Sequence, residues 1–315
     1  MARFLLRRLT MLIATLLVSS FIIFSSLYLA PGNPIATLSG GRTLPPESVA
    51  ILEERFHLDE PFLVRYWSWL TDVFRGDLGV SIALRQDVSD LIAARIGTTL
   101  ALVAYSSAII LLVGIGLGVL SGLRPGAVDT TILLVTTVLA ALPAFVASTF
   151  LIGVFSVRLG WFPALGSGEG LFDQLRHLTL PAFALAAASL ALVARVTRAS
   201  VREELGREHV QTATSRGLSR SVVIRRHVLR NAAIPITTVA GITIASLIAL
   251  AAVVERAFSL NGLGSYLVAA AASKDFAVVQ AISLVLVTVF VVLNTIVDLL
   301  YAVLDPRVQL GARAM

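Results

Sequence analysis

The chain has 315 residues, 57% of them hydrophobic and only 14% charged, with a mean hydropathy of +0.89; a soluble domain carries roughly 25% charged residues, so this is the composition of a membrane protein. There is no cysteine, which excludes disulfide frameworks, thiolate metal sites and thiol nucleophiles together. The net charge of +6 is almost wholly arginine, Lys274 being the single lysine, and the four histidines (His57, His177, His209, His227) show no metal-ligand spacing such as HExxH.

A helix rises about 1.5 Å per residue, so about 20 mostly apolar residues cross a bilayer core. Six stretches meet or approach that length: 9–30, 97–121, 130–157, 178–194, 232–254 and 276–297. The first follows Arg3, Arg7 and Arg8, as a signal peptide would. Its apolar run is long for that role, and Tyr28-Leu29-Ala30 lacks the small residue wanted three positions before cleavage, so it is expected to be retained. With the N-terminus inside, fifteen of the 25 basic residues but only six of the 19 acidic ones fall on the inner side. Cytoplasmic connections carry the excess of arginine, so both termini and the loop 195–231 are expected to face the cytoplasm.

The first external connection, 31–95, opens with PGNP, which stops the first span. It then offers two amphipathic pieces, PESVAILEERFHL and EPFLVRYWSWLTDVF, expected to lie on the outer membrane surface or against other spans. Pro143, Pro181 and Pro235 each fall inside a span, where kinks either serve packing or shape a pathway. No charge lies deep in any span, which argues against a proton relay or voltage sensor.

Between Glu208 and Pro235 the chain reads EHVQTATSRGLSRSVVIRRHVLRNAAIP, dense in arginine although long uncharged runs lie on either side of the loop 195–231. The fourth span is expected to run on as a helix through RVTRASVREEL, with a Glu203–Arg207 pair one turn apart and Gly206 as a weak point. A short helix follows, ending at Gly217 as a left-handed cap, and Ser219 is placed to start a second helix leading into the fifth span. Such a pair of helices could hold lipid headgroups or dock a cytoplasmic protein. Helix-turn-helix spacing also suggests DNA, but a loop tethered at both ends leaves no room for the rest of such a domain. No nucleophile and base are paired here for catalysis.

QTATSRG followed by LRNAAIP resembles the cytoplasmic "EAA" loop of ABC-transporter permeases of the dipeptide, oligopeptide and nickel group, with Gln211, Thr212 and Ala213 standing where the general pattern has Glu-Ala-Ala. The likeness covers nearly the whole chain. FLLRRLTMLIATLLVSSFIIFSSLYLAPGNP is similar to the group's N-terminal span. GDLGVS and IGTTLAL resemble the end of its first external loop, and LGWFPALGSG with HLTLPAFAL its third. VVERAFSLNGLGSYLVAAAASKDFAVVQ and NTIVDLLYAVLDPRV resemble its last loop and C-terminal end. The long first loop points to the B-type permease of the pair.

The resemblance implies an all-α integral membrane protein with the six-helix type I importer fold, termini cytoplasmic. It divides the chain into 1–30 (tail and first span), 31–95 (external loop) and 96–315 (permease core of five spans with the coupling loop 195–231). It implies a peptide importer in the bacterial inner membrane working by alternating access. The partners implied are a second, related permease, two cytoplasmic ATPase subunits and an external substrate-binding protein, with membrane lipid around them and no nucleic acid. Coupling to the ATPases would fall to a helix at about 205–218, with Glu208, Gln211, Thr212, Ala213, Arg216, Gly217 and Leu218, and Ala213 and Gly217 seating it in the partner's groove. An external gate or binding-protein contact would involve Glu255, Phe258, Asn261, Gly262, Gly264 and Asp275.

Independently, the chain has no G-x-x-x-x-G-K-[S/T] phosphate loop, so ATP and Mg are expected in partner chains and no cofactor or metal in this one. The stretch Glu255 to Asp275 is too polar and glycine-rich to span and is read as short helices folding partly back, with Asn261-Gly262 as the turn. Nickel or another small solute is the alternative cargo, though no histidine lies within a span. A self-contained channel or secondary transporter is the alternative class; it calls for internal repeats, and the two halves show none.

Overall fold

The structure, a computed structural model, describes residues 2–29 and 60–304. The PGNP stop, the first amphipathic piece and the C-terminal segment from Asp305 lie outside the described residues. Within them the chain is helical, with a single isolated bridge between Val80 and Asp87.

Among the described residues ten helices follow one another: α1 (Ala2–Leu29), α2 (Phe62–Arg75), α3 (Val88–Leu123), α4 (Ala127–Ala141), α5 (Ala144–Arg158), α6 (Leu171–Leu205), α7 (Glu208–Ser215), α8 (Arg220–Ala257), α9 (Leu263–Ala272) and α10 (Phe276–Leu304). Five of them, α1, α3, α6, α8 and α10, are long and apolar enough to cross a membrane. α3 begins at Val88, inside the stretch expected to be loop, so the boundary drawn at 96 falls within a helix.

The third expected span is not one kinked helix. α4 and α5 meet at Leu142-Pro143 and diverge by 106°. A residue before proline is pushed out of the helical region, and Leu142 is extended (φ −82°, ψ 116°), so the hydrogen-bond ladder stops there. The bent pair still traverses the bundle. Asp129 in the first turn of α4 bonds Arg198 and Arg202 near the end of α6, whereas the segment after α5 leads to the start of α6 and bonds the chain beyond α8 (Gly166 N–H to Phe258 O, 3.0 Å). Counted as one crossing, the pair restores the six spans expected. Pro181 and Pro235, by contrast, lie inside continuous helices.

α6 is the hub. Its central face (Leu178, Leu185, Leu190, Val193 and Ala194) is buried by α3, α4, α5 and α8. α3 approaches it through Gly118 and Gly122: a Cβ on Gly118 would overlap Thr197 and the Ala194 carbonyl, and one on Gly122 would overlap Val201. Inside a bilayer apolar surface gains little from association, so small residues that let backbones approach are what join helices. At 35 residues α6 is about 52 Å long, well beyond a hydrocarbon core of about 30 Å, and so it projects from the membrane.

The second amphipathic piece forms α2 and packs against α1. Phe21, Phe24, Phe62, Tyr66 and Trp69 make a cluster of rings 5.3–6.3 Å apart, and Ser20 Oγ shares a 2.9 Å hydrogen bond with the Tyr66 hydroxyl. The opposite face (Leu63, Val64, Trp67) stays exposed, as suits a helix lying at an interface.

Candidate functional site

Two assemblies sit at opposite ends of α6. At the arginine-rich end, α6 stops at Gly206 and α7 follows, eight residues rather than the fourteen expected. The Glu203–Arg207 pair forms as expected, at 2.6 Å. α7 closes with both hydrogen bonds of a Schellman turn: Gly217 N–H donates to the Thr214 carbonyl (2.9 Å) and Leu218 N–H to the Ala213 carbonyl (3.3 Å). Gly217 has φ +75°, the left-handed conformation its position demanded. Ser219 precedes the next helix as expected, although its hydroxyl makes no capping bond, and that helix is α8, unbroken from Arg220 to Ala257.

The expected coupling residues divide into two sets. Ala213 and Val210 are buried, packed with Val201, Val223, Val228 and Ala232 of the chain's own core. Ala213 therefore seats α7 on its own bundle rather than in a partner's groove. Glu208, Gln211, Thr212, Arg216, Gly217 and Leu218 are exposed, and a Cβ on Gly217 would meet nothing within 4 Å. α7 is thus a short ridge, anchored below and free above. The fold also brings His209 and His227, distant in sequence, to 6.4 Å between ring centres, with His209 3.5 Å from Glu204.

A part-buried ion cluster braces this end, and sequence reading missed it. The Asp129 carboxylate accepts from Arg198 Nε and Nη2 (the latter at 2.9 Å), from Arg202 Nη2 (2.6 Å) and from the Ser121 hydroxyl. It thereby ties the α3–α4 connection to the projecting part of α6. The only sequence signal was an acidic residue among many arginines expected on the inner side. Asp129→Ala would leave two partly exposed guanidinium groups without their acceptor and would remove the bonds that tie α4 to α6. The purified protein is expected to melt several degrees lower by fluorescence thermometry. An unchanged melting temperature would show that the cluster does not brace the bundle.

At the other end the six residues expected there fall into two groups: Glu255, Phe258, Asn261, Gly262 and Gly264 lie where α8 turns into α9, and Asp275 lies beyond the far end of α9. Glu255 is fully buried in the last turn of α8. Its carboxyl group accepts from the Thr99 hydroxyl of α3 (2.6 Å) and from Ser265 N–H at the start of α9 (2.8 Å), while Leu263 N–H donates to Thr99 Oγ1 (2.8 Å). The turn lies at Phe258-Ser259, not at Asn261-Gly262: Ser259 has φ +51° and the Phe258 ring is buried. Gly262 serves instead as a point of close approach, since a Cβ there would lie well inside 3.0 Å of the Glu255 carboxyl. Gly264 packs on the Ala252 backbone, so α9 doubles back along α8, one short helix where several were expected.

Asp275, also buried, accepts from the Ser81 hydroxyl (2.6 Å) and from Ala83 and Ile82 N–H (3.1 and 3.3 Å). It fastens the GDLGVS segment to the head of α10. Asn261 is exposed, its N–H bonded to Ser167 Oγ (3.1 Å). The partners Thr99, Ser265 and Ser81 were not legible beforehand, because each meets its acidic residue only through tertiary contact, although Thr99 and Ser81 lie in the motifs IGTTLAL and GDLGVS.

The bundle of helices superposes on chains of solved ABC transporters. A chain of the MetNI methionine ABC transporter in an inward-facing conformation superposes with a TM-score of 0.57 at 18% identity, over 68% of this chain and 96% of that one. A chain of an amino acid ABC transporter solved with histidines gives a TM-score of 0.54 at 17% identity, over 68% and 94%. At these identities the likeness concerns the fold alone.

Residues 114–310 match the family "Binding-protein-dependent transport system inner membrane component" and residues 1–103 its N-terminal counterpart, "Binding-prot-dependent transport system membrane comp, N-term". The chain belongs to this family of multi-pass permeases. Its relatives include the oligopeptide transport system permease protein AppB of Bacillus subtilis strain 168, 36% identical over 98% of this chain and 100% of that one. The dipeptide transport system permease protein DppB of Alkalihalophilus pseudofirmus is 32% identical over the same shares, and the glutathione transport system permease protein GsiC of Salmonella choleraesuis 35% identical over 98% and 99%.

Proposed function

We propose that this chain is the B-type permease subunit of an ATP-driven peptide importer in a bacterial plasma membrane, working as half of a heterodimer. The observation that carries the coupling half of this reading is α7, an exposed ridge fixed to its own core by Val210 and Ala213 and closed by the Gly217 turn. A partner that grips such a ridge can move the bundle as a lever, because the ridge cannot yield independently. The arginine excess of the same region supports a cytoplasmic position, where the ATPase subunits would lie. The peptide half of the reading is supported by full-length relatives named for oligopeptide, dipeptide and glutathione transport.

In this reading an external binding protein delivers peptide at the end formed by α9 and the GDLGVS segment. ATP binding draws the two ATPase subunits together. The docked ridges follow, and the two permeases switch the side to which their shared cavity opens. The differential energy comes from ATP, since a ligand shifts an equilibrium only by its difference in affinity for the two states. Residues of this chain supply docking, rigidity and the outer closure; hydrolysis belongs to the ATPases, which would hold ATP and Mg.

Reconstitution tests the reading. Proteoliposomes holding the second permease, both ATPases and this chain, supplied with peptide-loaded binding protein, are expected to accumulate peptide only with ATP. Solute flux through this chain reconstituted alone would overturn it.

A further inference from the structure

The outer arrangement leaves an open cavity of about 610 Å³ whose walls include Arg95, Arg256, Ser259, Asn261 and Tyr266. Its charge is unusual for this chain. Glu255 borders it too, but that carboxyl group is fully buried and already bonded to Thr99 and Ser265. Among the described residues neither Arg95 nor Arg256 has a carboxylate within 4.0 Å.

Arg95 is held in place by other means. One of its N–H groups donates to the Leu91 carbonyl (2.8 Å), and its guanidinium lies 4.2 Å over the Tyr266 ring. A guanidinium has five N–H donors in a rigid fork, so most of its bonding capacity is left over. Arg256, on the exposed side of the last turn of α8, is a second fork on the same cavity. Ser259, kept at φ +51°, and Asn261 complete a polar rim. Two unpaired guanidinium groups on one cavity, one of them oriented in advance, suit a planar, bidentate anion.

We infer that this cavity is a receiving site for the carboxylate of the transported peptide as it leaves the binding protein. The inference rests on the peptide-import reading above. The site holds the peptide by its one invariant anionic group and leaves side chains uncontacted, which is how a permease could accept varied sequences. Arg95, stacked on Tyr266, orients the group; Arg256 closes over it from the exposed side.

The test uses the complete importer in proteoliposomes with two probes, trialanine and trialanine amide, each supplied at matched occupancy of the binding protein. In the parent protein both are taken up in an ATP-dependent manner, trialanine at the lower concentration. Arg256→Gln is expected to raise the half-saturating concentration for trialanine on the order of tenfold, the loss of a charge-assisted bond, and to move that for the amide less than twofold. Arg256→Lys is expected to recover part of the loss, and Arg95→Gln to act as Arg256→Gln does. An equal effect on both probes is what a lipid-headgroup or binding-protein contact would produce, and it overturns the proposal, as does no effect of Arg256→Gln on trialanine. No ATP-dependent uptake of either probe by the parent complex would instead refute the peptide-import reading.

Discussion

Gly217→Val is expected to abolish ATP-driven uptake while leaving the amount of chain in the membrane unchanged. Gly217 stands at φ +75°, where a non-glycine residue costs about 1–2 kcal/mol and a β-branched one more. That cost falls on the turn whose two hydrogen bonds define the end of α7. The spans do not depend on it, since the glycine is exposed and a Cβ there meets nothing in this chain. Gly217→Asn is the informative control, because asparagine tolerates the left-handed region; it is expected to retain most of the activity. Membrane levels by immunoblot and uptake in proteoliposomes check both. Normal transport by the valine variant would show that this turn does not carry coupling.

Gly262→Ala is expected to be strongly destabilising. The added carbon falls on the buried Glu255 carboxyl, forcing it away from Thr99 and the Ser265 N–H. Overpacking costs about 1–3 kcal/mol, and each bond to a carboxyl group about 1.5–3 kcal/mol, so a loss above about 3 kcal/mol is expected, with transport lost at physiological temperature. The double variant Gly262→Ala with Glu255→Ala removes the obstructing group and should recover part of the stability lost by the glycine change alone, a non-additive cycle read by thermal unfolding. Strictly additive losses would mean that Glu255 and Gly262 are not opposed as described.

Much of this molecule was legible from residue order. The apolar runs placed every span to within a turn or two at most of their ends, because a bilayer demands about 20 apolar residues whatever their neighbours. The turn that ends α7 was legible for a similar reason: a left-handed residue after a short helix is a local requirement, and Gly217 answers it. Pro143 marked a disturbance in the third span, but a proline inside a helix can bend it slightly or end it. Pro181 and Pro235 sit in continuous helices while α4 and α5 part by 106°. Neighbouring packing chose between those outcomes.

The roles of single residues divided in the same way. Ala213 belonged to the coupling motif in sequence, yet its side chain faces the chain's own core, since which face of an eight-residue helix is covered depends on where α6 and α8 run. Asn261-Gly262 had the composition of a turn, yet Gly262 is required by the Glu255 carboxyl, and the turn is made at Phe258-Ser259. By itself the sequence determined the membrane class, the spans, the arginine asymmetry and the Gly217 turn, all of which follow from solvent and local backbone geometry. Only the tertiary structure decided that Asp129 meets Arg198 and Arg202, that Glu255 meets Thr99, and that Arg95 and Arg256 share a cavity. Those pairings join residues tens to more than a hundred positions apart, and a polar group removed from water finds its partner through the fold, not through its neighbours in the chain.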